Sequence, residues 1–234
     1  MHTFDRFVIT AAFCLTAAFC LAPVALAQEP AREMSCDERN RDGDRVTHCE
    51  INESTVPAAQ HLAVDGGVNG GVRVKGWLKH EILVRARVQT YADTDAQARA
   101  LAGRITIRTG GGRIIADGPT TETNRHEYWS VSYEVFVPKQ IDLSLRAHNG
   151  GIHIADVRGH IEFETTNGGV SLAVPPAYSA HLETGTVNGH INIDFPVTVH
   201  GEINRRVSVD LGSGGPLVRA TTTNGAVSIK RKET

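Results

Sequence analysis

The run His148-Asn149-Gly150-Gly151-Ile152-His153-Ile154 contains a bend followed by a strand. Asn and Gly accept a tight bend, including positive φ, at little steric cost. After the bend Ile152 and Ile154 alternate with His153, the period of a strand with one buried face. Before it, Ile141, Leu143, Leu145 and Ala147 alternate with Asp142, Ser144, Arg146 and His148. The unit is therefore strand, bend, strand.

The same unit recurs along the chain. Its copies are Asn69-Gly70-Gly71-Val72-Arg73-Val74, Asn167-Gly168-Gly169-Val170-Ser171-Leu172, Asn188-Gly189-His190-Ile191-Asn192-Ile193 and Asn224-Gly225-Ala226-Val227-Ser228-Ile229. The last four bends are offset by 18, 21 and 36 residues. Something else occupies one place in that series, and Ser213-Gly214-Gly215 reads as a degenerate copy there.

Two all-β arrangements fit. If the bends are two-residue hairpins, the chain is an antiparallel β-sandwich. If each unit is a rung, the chain is a β-solenoid or β-helix-like repeat of about 18–21 residues per rung. Similar corners at a common period favour the solenoid, because stacked Asn side chains then hydrogen-bond from rung to rung. The terminal run Lys230-Arg231-Lys232-Glu233 is expected to place charge at the open edge, which favours a monomer or small oligomer over filaments.

The front half is less regular. His80–Gln89, Arg104–Thr109, Arg113–Ala116 and Tyr128–Val137 read as strands, and Asp93–Leu101 as one short helix with an acidic start. Residues 1–27 read as a signal peptide: an apolar run from Phe7 to Leu21, Pro23, then Ala25-Leu26-Ala27 before Gln28. Residues 28–60 form an N-terminal segment, 61–138 a first β-rich part with the helix, and 139–234 the Asn-Gly repeat part.

Cleavage leaves Cys36 and Cys49, which in an exported chain form a disulfide across a charged hairpin tip. Free or metal-binding thiols are the rival reading, but two cysteines with His48 make a poor zinc site. The net charge of -2 gives no single-sign field to attract nucleic acid. Membrane contact is expected only through an uncleaved signal anchor.

Val131-Ser132-Tyr133-Glu134-Val135-Phe136-Val137-Pro138, leading into His148-Asn149-Gly150-Gly151-Ile152, resembles the DUF4097 family of adhesin-like β-strand-repeat proteins. Thr165-Thr166-Asn167-Gly168-Gly169-Val170 and Thr222-Thr223-Asn224-Gly225-Ala226-Val227 resemble it too, as does the cysteine-containing His48-Cys49-Glu50-Ile51-Asn52-Glu53. The resemblance covers roughly residues 46–230. It implies an exported, solenoid-like protein with no established reaction.

Leu211-Gly212-Ser213-Gly214-Gly215-Pro216 resembles the nucleophile motif of trypsin-like proteases, with Thr47-His48-Cys49 as the histidine segment and Asp95 as the carboxylate. Gly212 stands where that motif needs Asp, and too little chain follows Ser213. Glu38, Asn40, Asp42 and Asp44 loosely echo a calcium loop, but Cys49 occupies its closing Glu position. The histidines, His148, His153, His160, His181, His190 and His200 among them, lack metal-site spacing and read as decoration of a solvated face.

Glu162 and Glu164 share one strand face, as paired glycosidase carboxylates would, but Arg146 one rung earlier is placed to pair with them. Arg146, Glu162, Glu164, His181 and Glu183 form the candidate binding face. The expected function is that of an exported, periplasmic, surface or secreted envelope protein. It would be non-catalytic and without a cofactor, binding an envelope protein or polysaccharide in an adhesin-like way. The alternative is a hydrolase or lyase acting on an envelope or extracellular polymer.

Overall fold

The computed structural model describes residues 34–36, 41–42, 44–120, 126–195, 197–199 and 205–232. The expected signal peptide, together with Glu38, Asn40 and His200, lies outside them. The chain enters with β1 (Arg41–Asp42), β2 (Arg45–Pro57), β3 (His61–Asp65), β4 (Val72–Trp77) and β5 (Glu81–Ala92). After helix α1 (Asp95–Ala102) come β6 (Thr106–Arg108), β7 (Arg113–Asp117) and β8 (Tyr128–Pro138). The later repeats supply β9 (Asp142–Ala147), β10 (Ile152–Ala155), β11 (Ile161–Asn167), β12 (Val170–Val174), β13 (Ala180–Asn188) and β14 (Ile191–Asp194). Then follow β15 (Val197–Val199), β16 (Arg206–Leu211), β17 (Leu217–Asn224) and β18 (Val227–Arg231).

Local chemistry accounts for these elements. The helix starts at Thr94, whose hydroxyl accepts from the Gln97 N–H while the Gln97 side chain accepts from the Thr94 N–H, a capping box. Ala98, Leu101 and Ala102 face inward, and the Thr90 hydroxyl donates to the Ala98 carbonyl at 2.7 Å. Strand burial alternates as the sequence predicts: Ile161, Phe163 and Thr165 are buried, whereas Glu162 and Glu164 face outward.

Two open nine-stranded sheets result. The first has the order β1-β2-β5-β8-β4-β10-β12-β18-β14, the second β15-β16-β13-β17-β11-β9-β3-β7-β6. Each Asn-Gly bend carries the chain from the second sheet to the first. Equivalent strands then pair in parallel and in register: Ile152 lies opposite Val72 and Val170, and Ile161 opposite Leu143 and Val218. Two-residue hairpins at the bends are thereby excluded. A two-layered, sandwich-like arrangement fits the sheets, but its repeat strands are parallel. Antiparallel pairing belongs to β1, β2, β5 and β8, to β6–β7, and to the β13–β16–β15 edge.

Three expectations are corrected. First, the units do not stack in chain order, because β17 sits between β11 and β13, and β18 between β12 and β14. The final unit is inserted between its two predecessors. Lys230 and Arg231 are therefore interior to the first sheet's strand order, Lys232 pairs with Asp156 at 2.8 Å, and the edge strand is β14. Second, Ser213-Gly214-Gly215 is no corner. It belongs to a tight turn from β16 to β17, closed by the Gly214 N–H on the Leu211 carbonyl, with positive φ at Gly212, Gly214 and Gly215.

Third, the corner glycines are not required for positive φ. Among the described residues that conformation occurs at Asp156 and at glycines outside the five Asn-Gly pairs. They are required by close approach of backbones. A Cβ on Gly189 would lie 1.8 Å from the Gly225 carbonyl oxygen, and one on Gly225 would lie 2.0 Å from that of Gly168. The same crowding holds at Gly70, Gly150 and Gly168, against the carbonyl oxygens of Val131, Gly70 and Gly150. The next position is roomier, since a Cβ on Gly169 would meet its nearest atom at 3.5 Å, and His190 and Ala226 occupy it in other units.

Candidate functional site

The five corner asparagines form one continuous ladder. Asn149 donates to Asn69 at 3.1 Å, Asn167 to Asn149 at 2.8 Å, Asn224 to Asn167 at 2.7 Å, and Asn188 to Asn224 at 2.7 Å. Beneath it, buried threonines hold the corners from inside. Thr165 donates to the Gly150 carbonyl at 2.7 Å, Thr222 to Gly168 at 2.8 Å and Thr186 to Gly225 at 2.9 Å. Each buried hydroxyl is thus satisfied by a neighbouring unit. Sequence reading missed these threonines, although Thr-x-Asn-Gly was present in three copies.

Ladder and threonines fix the outward face of the second sheet, where the candidate binding residues lie. Arg146 of β9 meets Glu164 of β11, with Nε 3.0 Å from Oε1. Glu162 and Glu183 are brought together by Arg219, which no local pattern had singled out. Because β17 is inserted between β11 and β13, Arg219 lies opposite both acids, 3.0 Å from Glu162 and 2.9 Å from Glu183. The hydrogen bond to Glu183 is the main cause that raises the Arg219 pKa, with attraction to both carboxylates adding to it.

His181 sits at the end of the same face, its Nδ1 2.7 Å from Asp210 and its Nε2 3.2 Å from the Ser208 hydroxyl. His148 contacts Thr166 at 3.1 Å, and His160 lies 3.5 Å from Glu162. Between these groups the floor is low. Gly185 contributes no side chain, and Thr166, Thr221 and Thr223 present hydroxyls outward. The result is an open groove of about 1140 Å³, bounded by Arg205 and Arg206 at one end and by Asp65 and Val68 at the other.

The opposite face, on the first sheet, carries a different polar row. Arg85 lies 2.7 Å from Glu53 and 3.5 Å from Glu134, and Arg73 lies 3.7 Å from Glu134, whose side chain is buried. His153 contacts Ser171 at 2.7 Å, and desolvation, with Arg73 adding, lowers its pKa. Elsewhere Cys36 and Cys49 are bonded, their Cα atoms 5.8 Å apart, and Arg87 donates to the Ser35 carbonyl at 3.3 Å.

The protease constellation is not assembled. Ser213 hydrogen-bonds to Ser179 at 3.2 Å, while His48 pairs with Glu50 at 3.7 Å. Among the described residues, no group of three or more His, Cys, Asp or Glu side chains is placed to hold a metal ion.

No protein-family model matches the chain, and no curated relative does. Solved structures show a distant likeness. A "putative cell adhesion protein" from Clostridium sporogenes shares 11% identity over 78% of this chain and 100% of its own, with a TM-score of 0.44. A "putative adhesin" from Parabacteroides distasonis shares 10% identity over 77% of this chain and 70% of its own, with a TM-score of 0.31. A "putative lipid binding protein" from Parabacteroides distasonis shares 9% identity over 78% of this chain and 96% of its own, with a TM-score of 0.27. At these scores the likeness carries no argument about function.

Proposed function

We propose that this chain is an exported, non-catalytic envelope protein that binds a partner or polymer on the outer face of its second sheet. Its repeat part is a short β-solenoid whose units are stacked out of chain order. The single observation that carries this reading is the groove above Gly185, long, open and floored by a regular array of strands. Reaction sites are more often concave pockets with convergent titratable groups. Here Glu162 and Glu164 are each held by an arginine, which leaves neither in the apolar setting that prepares a carboxyl as a general acid. Those contacts weigh against the hydrolase or lyase alternative.

Export is supported by the Cys36–Cys49 bond, since structural disulfides persist in oxidising compartments. The signal peptide at residues 1–27 supplies the route in this reading.

A photo-crosslinking residue placed at Thr223, in cells that make the protein, tests the assignment. The expected result is specific capture from Thr223 and none from Ser228, which lies in the same unit but in the first sheet. Equal capture from both faces would refute the assignment.

A further inference from the structure

The chemistry of the groove narrows the class of ligand, given the reading that this face is the working surface. Its long axis crosses β16, β13, β17, β11, β9 and β3. Five inter-strand spacings of about 4.8 Å make it about 24 Å long, the reach of a linear polymer rather than of a small molecule. Along that axis polar side chains face outward on successive strands: Thr223, Thr166 and His148 in one row, Thr221, Glu164 and Arg146 in the next.

Charge and shape in the middle of the groove weigh against other polymers. An anionic chain such as a nucleic acid needs unneutralised cations to bind. In the middle of the groove Arg219 is held by two carboxylates and Arg146 by a third, which leaves Arg205 and Arg206 at one end as its other arginines. An extended peptide needs either a free strand edge or apolar pockets for anchoring side chains. The middle of a sheet face offers no free edge, and the exposed apolar residues at the groove, Val68 and Val187, stand near its opposite ends.

What remains suits vicinal hydroxyls, each of which is both donor and acceptor. Arg146 and Glu164 are paired through Nε and Oε1 yet both side chains are exposed, so a donor and an acceptor lie side by side within reach of a ligand. The threonine hydroxyls add groups that can donate or accept. We propose that this groove binds a linear, uncharged polysaccharide lying across the strands.

The test is native electrophoresis of the mature chain through gels containing a soluble linear β-glucan, a galactomannan, alginate or no polymer. The expected result is retardation by at least one neutral polymer and none by alginate. The double variant Thr221→Ala/Thr223→Ala should weaken it at least tenfold, Thr166→Ala should act in the same direction, and Ser228→Ala should change nothing. These threonines face outward, so the buried Thr165 and Thr222 bonds survive, and an unchanged unfolding midpoint verifies that. Retardation that persists in the double variant, or that occurs only in alginate, overturns the proposal. Where neutral polymers give no retardation, the Thr223 photoprobe separates the two failures. A protein captured there overturns the sugar and leaves the face its role, while capture no greater than from Ser228 overturns both.

Discussion

Strands β2 and β5 run antiparallel for 13 and 12 residues, whereas the repeat strands β10 and β12 are only 4 and 5 residues long. A long antiparallel pair makes many hydrogen bonds with each neighbour, which fix its register over its whole length. Short parallel strands make few bonds with any one neighbour and depend on the stacking of units, as in other repeat architectures. The two regions accordingly carry different fastenings. The antiparallel region has a disulfide near its start and the helix packed on β5, while the repeats have glycine contacts, an asparagine ladder and buried threonines.

Removing each fastening separates the two regions. The largest effect is expected from Cys36→Ser/Cys49→Ser, because the bond closes a loop with a sequence separation of 13. Its loss should lower stability by about 3 kcal/mol on the chain-entropy estimate. Denaturant titration of both forms checks this, and a change below the error of extrapolation would mean that the segment 34–36 adds nothing to β5.

A smaller loss, about 2 kcal/mol, is expected for Gly189→Val or Gly225→Val, where the new Cβ meets a carbonyl of the next unit. Ala226→Val, at the roomier position, should cost distinctly less. Equal losses at all three sites would show that close approach of backbones is not what selects glycine.

The asparagine ladder should give the smallest effects and a position dependence. Asn167→Ala removes one bond given and one received, about 1 kcal/mol together, whereas Asn69→Ala removes only the bond it receives. Thermal unfolding of the two variants measures the difference. A larger loss at Asn69 than at Asn167 would contradict the ladder.

Much of this was legible in residue order. Alternation marked the strands of both regions, Thr94 and Gln97 marked the start of the helix, and the recurrent Asn-Gly marked the corners. The face formed by Arg146, Glu162, Glu164, His181 and Glu183 was found because outward positions follow from a period of two. Arg219 was missed for a physical reason. Nothing local to Leu217–Asn224 states which strands it will lie between, since every repeat strand presents the same parallel edge. The 36-residue offset before Asn224 was the one visible trace of the detour through β15 and β16. Glycine was read correctly as necessary and wrongly as a φ requirement. The better clue was that Gly is kept at the second corner position while the third admits His190 and Ala226.

The insertion of the last unit between its two predecessors is the claim on which the groove, Arg219 and the ladder all depend. Paired cysteines on the outer face of the second sheet test it directly. Thr166 and Thr223 lie on adjacent strands, as do Thr223 and Val187, whereas Thr166 and Val187 are separated by β17. Adjacent parallel strands place such residues about 5 Å apart, within reach of a disulfide, and the separated pair lies at about 10 Å, beyond it. On mild oxidation the expected result, read by peptide mapping, is a new bond in Thr166→Cys/Thr223→Cys and in Thr223→Cys/Val187→Cys, with none in Thr166→Cys/Val187→Cys. A bond formed readily in the third variant and absent from the first would mean that the units stack in chain order, and the inserted unit would be refuted.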